Sequence, residues 1–391
     1  MGQTAVILIG FMPNPRIYKR IEQEKAVCNV HLICWDRESN LLAYPNAEGY
    51  TAHVLKLAAS NDPIRRLVPY QKFSARAMKL LKQIKPDLIH VQGLDMLKIA
   101  QKYKRSCSSR VSIIYEVADL HRLLVDEQKH PVKKAMQFYL RNEDRRLQSA
   151  YDLLVLTSEK YYETYFSQFI PREKMLYMPN IPNLAAFDSY TKKENTSDFT
   201  VGFLGVIRYK KQMLNLIEAA RKTGVRLLVA GYETEPLVIE PMCKAEPNIE
   251  WVGRFDFNAQ AAELYGKCDA MYSVYDADMR NVRVALPNKL YEAVYCEMPL
   301  IVAKNTYLAE LVEQWGSGVA VDHSGPEELI AAIEKLRDDR EFAESIRENC
   351  RKHKPEINMA VYNQRFNEKF DFGQIDIFCI VIRQSMESGR S

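Results

Sequence analysis

Short apolar runs alternate with longer, polar-faced stretches along the chain. Residues 5–9 (AVILI) are apolar throughout, as a strand buried on both faces of a parallel sheet must be. The run ends in Gly10-Phe11-Met12-Pro13-Asn14-Pro15, where a glycine permits close approach of a ligand, and a polar helix is predicted over 16–24. Further strands are predicted at 30–34, 50–55, 87–91, 111–117, 151–157 and 175–179, with a long polar helix over 133–148. Residues 188–198 (DSYTKKENTSD) are polar and aperiodic, and read as a linker. The alternation then restarts, with strands at 201–204, 225–230, 249–252, 270–274, 300–303 and 318–321. Helices are predicted near 214–222, 257–267, 289–296, 307–315 and 326–337. From Arg340 to Phe370 the pattern is helical, and residues 372–391 form a tail with no assigned role. The fold class that follows is α/β: two Rossmann-like, doubly wound domains, 1–187 and 199–339, facing a central cleft.

At 391 residues the chain exceeds one usual core, which agrees with two domains. A hydrophobic content of 47% and a charged content of 27% describe an ordinary soluble globular protein. No apolar run is long enough to cross a bilayer, and Met1-Gly2-Gln3-Thr4 runs directly into a strand, so no signal peptide and a cytoplasmic location are expected. The eight cysteines are scattered without a CxxC pair, which favours reduced core thiols over bridges or metal ligands. A net charge of +4 gives no argument for nucleic acid.

That charge is unevenly spread. Between 61 and 86, Arg65, Arg66, Lys72, Arg76, Lys79, Lys82 and Lys85 face a single acid, Asp62, and Phe73, Ala77, Leu80, Leu81 and Ile84 recur between them at helical spacing. A basic amphipathic helix from Arg65 to Lys85 fits an anionic membrane surface. A helix packed on a sheet with a solvated basic face reads the same way.

Chemistry is concentrated at strand ends, where open parallel sheets bind ligands. His90 and Gln92 close one predicted strand, and Asp119 and His121 follow another; each is also an ordinary loop residue. The second domain opens with Val201-Gly202-Phe203-Leu204-Gly205-Val206-Ile207-Arg208-Tyr209-Lys210-Lys211-Gln212, a strand ending in a glycine loop that holds Arg208 and Lys211. Arginine supplies a planar fork for phosphate oxygens and lysine a point charge. The stretch is neither a P-loop nor a GxGxxG turn. Three βα units later, Leu286-Pro287-Asn288 starts a helix whose first turn carries Lys289 and Glu292. Pro287 and Asn288 mark a helix N-terminus, an anion site, and a carboxylate one turn on can accept from paired sugar hydroxyls. The plainer reading is a capped helix that packs Leu290, Val294 and Tyr295 inward.

Two of these segments, 205–212 (GVIRYKKQ) and 286–293 (LPNKLYEA), carry a family resemblance, with weaker support from 85–90 (KPDLIH), 115–120 (YEVADL) and 157–159 (TSE). Over residues 5–351 the chain resembles a family 4 glycosyltransferase of the GT-B fold, of the kind used in bacterial capsule, lipopolysaccharide and exopolysaccharide assembly. The resemblance implies a retaining sugar transfer from a nucleotide-diphosphate donor to a glycan or polyprenyl-linked acceptor. It places Arg208 and Lys211 on the diphosphate with Asn288 and Lys289 beside them, Glu292 on the ribose, and Gly10, Gly205, Asp278 and Arg283 in the donor loops. It sends residues 340–371 back to the first domain and implies peripheral attachment at the inner face of the plasma membrane. Many members carry a second glutamate where this chain has Val284, which leaves the sugar contact to backbone or to a neighbour such as Asp278 or Arg283. The family's usual first-domain histidine or arginine is replaced by Ala118, and Asp119, His121 and His90 stand in as catalytic candidates. Asp276-Ala277-Asp278 imitates a metal-binding DxD, but in a GT-B donor loop it reads as metal-free, and no cofactor is expected. A GT-B nucleotide-sugar epimerase and a non-catalytic interaction protein are the alternatives; Val284 and Ala118 favour the latter.

Overall fold

The computed structural model describes residues 3–38, 48–60, 62, 65–107, 110–192, 198–233 and 238–370. The chain divides into two compact units, Met1–Pro179 joined by the segment from Ala360 on, and Asn180–Met359.

In the first unit, β1 (Thr4–Ile9), β2 (Asn29–Asp36), β3 (Thr51–Lys56), β4 (Leu88–Gln92), β5 (Ser112–Val117), β6 (Leu153–Leu156) and β7 (Met175–Tyr177) are all parallel, in the order β3-β2-β1-β4-β5-β6-β7. The connecting helices are α1 (Pro15–Lys25), α2 (Leu67–Ile84), α3 (Leu94–Ser106), the short α4 (Arg122–Val125), α5 (Pro131–Leu147) and α6 (Glu159–Thr164). Ala5 to Ile9 are fully buried because β1 lies mid-sheet with helices on both faces. Asn14 caps α1 by accepting from the Arg16 and Ile17 amides, with Pro15 at the first helical position. Right-handed crossovers put α1 on one face of the sheet and α2, α3 and α5 on the other. There α3 packs against both α2 and α5.

In the second unit, β8 (Thr200–Ile207), β9 (Arg226–Glu233), β10 (Ile249–Gly253), β11 (Ala270–Ser273), β12 (Leu300–Ala303) and β13 (Gly318–Val321) are parallel in the order β10-β9-β8-β11-β12-β13. The helices are α7 (Lys210–Thr223), α8 (Ile239–Ala245), α9 (Phe257–Gly266), α10 (Arg280–Val284), α11 (Lys289–Tyr295), α12 (Tyr307–Trp315), α13 (Glu327–Asp338) and α14 (Arg340–His353). Glycine is obligatory at 231, where φ is 156° and a Cβ would stand 1.8 Å from the Gly205 carbonyl oxygen on the paired strand.

Two boundaries differ from expectation. The units divide at Pro179–Asn180, not after 187, because Phe187 is clamped between Phe257, Tyr265 and Tyr295 of the second unit. The start of the expected linker is likewise held there, with Lys192 paired to Asp269; residues 193–197 lie outside the described residues, as does the tail 371–391. In the segment 340–371, α14 stays with the second unit, packed on α11 and α12, and only α15 (Met359–Phe370) joins the first. No helix among the described residues is long and apolar enough to cross a membrane. All the described cysteines are free, and Cys28, Cys34, Cys243, Cys268, Cys296 and Cys350 are buried. Cys379 lies outside the described residues.

His90 corrects a site expectation. It is the central residue of β4, 3% exposed, with Nδ1 2.5 Å from Glu24 Oε1 on α1 and Nε2 3.1 Å from Glu116 Oε2 on β5. Arg20 grips the same Glu116 carboxylate at 2.9 Å and donates to Gln23 at 3.2 Å, while Phe366 of α15 stacks over the His90 ring. Nδ1 is thus bonded to one buried carboxylate and Nε2 lies within ion-pair distance of another without hydrogen-bond geometry, so His90 is a core group and not a base facing an acceptor. Burial alone would lower its pKa; Glu24 and Glu116 reverse this and raise it from 6.5 to about 9. The folded form therefore holds the proton more tightly than the unfolded chain. This contribution to stability is complete below about pH 6.5 and is lost as pH rises through about 9. We expect His90→Ala to cost about 3 kcal/mol by leaving the Glu24 carboxylate buried without its partner, with Glu116 held by Arg20 alone. Urea unfolding should show wild type losing stability between pH 6.5 and 9 relative to His90→Gln; parallel pH curves would refute the assignment.

Candidate functional site

The strand order of the second unit reverses between β8 and β11, and the loops leaving these neighbours carry the candidate residues. Arg208 directly follows β8, and Lys211 is the second residue of α7. Both are exposed, and neither has an ion-pair partner among the described residues. The start of α7 is fixed from two sides: the buried Tyr272 hydroxyl of β11 donates to the Gln212 carbonyl at 2.7 Å, and Gln212 Nε2 donates to the His323 carbonyl at 3.1 Å. Tyr275, in the loop after β11, packs its ring at a tilt against Tyr209, 5.3 Å between centroids. Burial raises the Tyr275 pKa and Ser273 opposes it, with smaller contributions upward from Glu292 and downward from Arg208. One phenol thus feels both Arg208 and Glu292, which the sequence separates widely.

Glu292 is 2% exposed on α11. Two donors converge on its Oε2, the Tyr265 hydroxyl of α9 at 2.5 Å and the Lys289 ammonium. No protein donor reaches Oε1 among the described residues, and that oxygen is not sealed away. Burial first, and Glu292 second, push the Tyr265 pKa well above its ordinary value, so the phenol remains a proton donor. The result is a carboxylate fixed through one oxygen with the other free to accept.

Other expected residues are placed differently. Asn288 adopts a helical backbone and caps nothing with its side chain; its Oδ1 accepts from Asn180 Nδ2 at 2.7 Å instead. Lys289 is not a free cation, since it is paired with Glu292 and lies 5.8 Å from the Tyr265 ring. Gly205 has φ 146°, a conformation other residues avoid, with open space where a side chain would stand. Arg283 is exposed on α10 without an ion-pair partner among the described residues. Asp278 is 90% exposed; with Asp276 it flanks His323, at 3.8 and 3.6 Å. These three side chains place their ligand atoms within 4.8 Å of one another, so a divalent cation fits them geometrically.

In the first unit, Gly10 ends β1 at the sheet's own point of reversal, between β1 and β4, beside Met96 and Arg37. Asp119 is exposed just after β5, near Tyr161. His121 caps α4, its Nδ1 accepting from the Leu123 amide at 3.3 Å; burial lowers its pKa, with Asp95 opposing.

Sequence reasoning missed Tyr265, Tyr275, Gln212 and His323. His323 follows β13 and was open to the strand-end rule used elsewhere. Tyr265 carried only the weak signal that a buried tyrosine needs an acceptor.

Residues 187–353 match the family model described as glycosyl transferases group 1, and residues 17–144 match glycosyl transferase 4-like. Each unit thus carries a match to a glycosyltransferase family model, and the fold is GT-B. Succinoglycan biosynthesis protein ExoL of Rhizobium meliloti (strain 1021) is 23% identical over 265 residues, covering 64% of each chain; the match thus spans just under two thirds of that relative's length. Among solved structures, sucrose-phosphate synthase from Thermosynechococcus elongatus superposes with a TM-score of 0.70 at 14% identity, covering 94% of this chain and 98% of that one. Anabaena HepE in complex with UDP gives 0.67 at 15% identity, covering 94% and 99%. At such identities the likeness speaks for the fold. That fold accounts for β8 and β11 meeting at the strand-order reversal of the group 1 domain.

We expect Tyr265→Phe to destabilise the second unit by about 2 kcal/mol, the value of a hydrogen bond to a buried charged group. The same change in a Glu292→Gln background should cost clearly less. Equal losses in the two backgrounds, measured by urea unfolding, would show that the hydroxyl does not act through Glu292.

Proposed function

We propose that this protein moves a sugar from a nucleotide-diphosphate donor to a glycan or lipid-linked glycan acceptor, with retention, in polysaccharide assembly. The observation that carries the proposal is Glu292, a buried carboxylate with one oxygen anchored and the other free. It lies in the unit whose residues 187–353 match the glycosyl transferases group 1 model, in which Arg208 directly follows β8 at the strand-order reversal. ExoL is a succinoglycan biosynthesis protein and HepE is solved in complex with UDP; both support the substrate class.

In this reading the free Glu292 oxygen accepts from the donor's ribose hydroxyls. Arg208 and Lys211, solvated and unpaired, take the diphosphate. The bond from the anomeric carbon to the diphosphate oxygen breaks, and charge grows on the leaving group, where these cations stabilise it. The acceptor oxygen attacks from the same face, and its proton passes to the departing phosphate oxygen. The step needs no carboxylate nucleophile and, as proposed, no metal. Glu292 binds, Tyr265 positions Glu292, and Arg208 and Lys211 serve the transition state. Asp119 and His121 remain candidates at the acceptor side.

A thermal-shift screen against UDP, GDP, ADP and CMP should give one nucleoside diphosphate that raises the melting temperature. Arg208→Ala and Lys211→Ala should each weaken that diphosphate about tenfold or more while changing affinity for the matching nucleoside little. No stabilisation by any nucleotide, with no hydrolysis of nucleotide-sugars, would favour a non-catalytic protein. Turnover should survive EDTA; metal-dependent turnover abolished by His323→Ala would instead put an ion at Asp276, Asp278 and His323.

A further inference from the structure

The first two turns of α5 carry an apolar face that none of the described residues covers. Val132, Met136, Phe138 and Tyr139 are exposed, Val132 by 61% and Phe138 by 73%, and Gln137 alone among the first turns' residues is buried. Val132, Ala135, Met136 and Tyr139 follow the i, i+3, i+4, i+7 spacing by which a helix ordinarily faces its core. Here the stripe faces solvent.

Its surroundings are cationic. From Gln128 to Asn142 there is no acidic residue, and Lys129, Lys133 and Lys134 are exposed without an ion-pair partner among the described residues. Beside the stripe lies a cavity of ≈ 550 Å³, where Lys129, Lys134, Arg141 and Arg145 face the single acid Glu127 and Phe138 forms part of the wall. Two of these cations are held in place: Arg141 Nε donates to the Leu124 carbonyl at 2.8 Å, and the Arg145 guanidinium sits over the Phe169 ring.

The neighbouring α2 adds to the same face of the sheet. It buries Phe73, Ala77, Met78 and Leu81, so its apolar stripe is spent on the core, but it exposes Leu67 and Val68 in its first turn and Lys72, Arg76, Lys79 and Lys82 along its outer side. The starts of α2, α3 and α5 are tied together by Tyr70, whose hydroxyl donates to the Asp95 carbonyl at 3.0 Å, and by Lys98, which lies 5.4 Å from the Tyr139 ring.

We propose that the exposed stripe of α5 enters the headgroup–acyl boundary of an anionic bilayer, with the Lys129–Lys134–Arg141–Arg145 cavity receiving a lipid phosphate. Lysine is depleted at protein–protein interfaces, whereas aliphatic and aromatic side chains fringed by lysine suit a headgroup layer, where each lysine gains from anionic lipid. Nucleic acid would use the cations but not Val132 and Met136. The insertion element is therefore α5, with α2 contributing charge alone. The proposal goes beyond the transferase reading and does not depend on the donor.

The test is co-sedimentation of the full chain with phosphatidylcholine vesicles containing about one third phosphatidylglycerol, against pure phosphatidylcholine. Binding is expected to the anionic vesicles only, and to weaken as salt rises. Met136→Ser/Phe138→Ser should lower partitioning about tenfold, as should Lys129→Glu/Lys134→Glu. All four residues are exposed, so melting temperatures should be unchanged. Wild type remaining in the supernatant at low salt would overturn the proposal. So would binding that responds to Lys72→Glu/Arg76→Glu but to neither α5 variant. A dimer in light scattering that Phe138→Ser dissociates would reassign the stripe to a second copy. Nucleoside diphosphate thermal shifts run in parallel separate the two ideas, since a retained shift with no vesicle binding rejects the surface and spares the transferase reading.

Discussion

The reversal of strand order at β8 is the constraint on which the candidate site depends. With β9 on one side and β11 on the other, the chain leaving β8 turns one way and the chain leaving β11 turns the opposite way. Right-handed crossovers send the following helices to opposite faces, so the two loops part at the carboxyl edge of the sheet and leave a crevice. Side chains on those loops are anchored from beneath and open above. Arg208 and Tyr275 occupy such positions, and the Tyr272–Gln212 bond locks the two strands' exits together.

Two buried glutamates show how the same residue type serves different ends. Glu116 is enclosed by Arg20 and His90, which overcome the upward pull of burial and hold its pKa well below the usual carboxylate range. Its charge is used up in joining α1, β4 and β5, with Phe366 closing over the histidine. Glu292 is nearly as buried, yet its two donors share one oxygen. That asymmetry separates a carboxylate that holds a core together from one able to meet a ligand. Burial alone does not distinguish them.

The basic helix α2 and the mixed helix α5 invert what their patterns suggest. In α2 the apolar spacing is regular and is consumed by packing against the sheet and α3. In α5 a comparable spacing projects outward, because the inward side of its first turns is occupied by Gln137, whose amide donates to the Leu123 and Asp126 carbonyls. A buried amide in the capping contact thus turns the apolar stripe toward solvent.

By itself the sequence determined the two-domain α/β architecture, the positions of the strands and the cations after β8, because these are written locally, in apolar runs, glycines and charges a few residues apart. Even Glu292 was legible, since it follows Pro287-Asn288 at short range. Tertiary structure alone decided that His90 belongs to the core, that Tyr265 anchors the Glu292 carboxylate, and that α5 exposes its apolar stripe. Each of these rests on a partner brought from another element, 66 residues away for His90 and Glu24 and 27 for Tyr265 and Glu292. The direction of a side chain is set by packing across the sheet, and no local spacing encodes it.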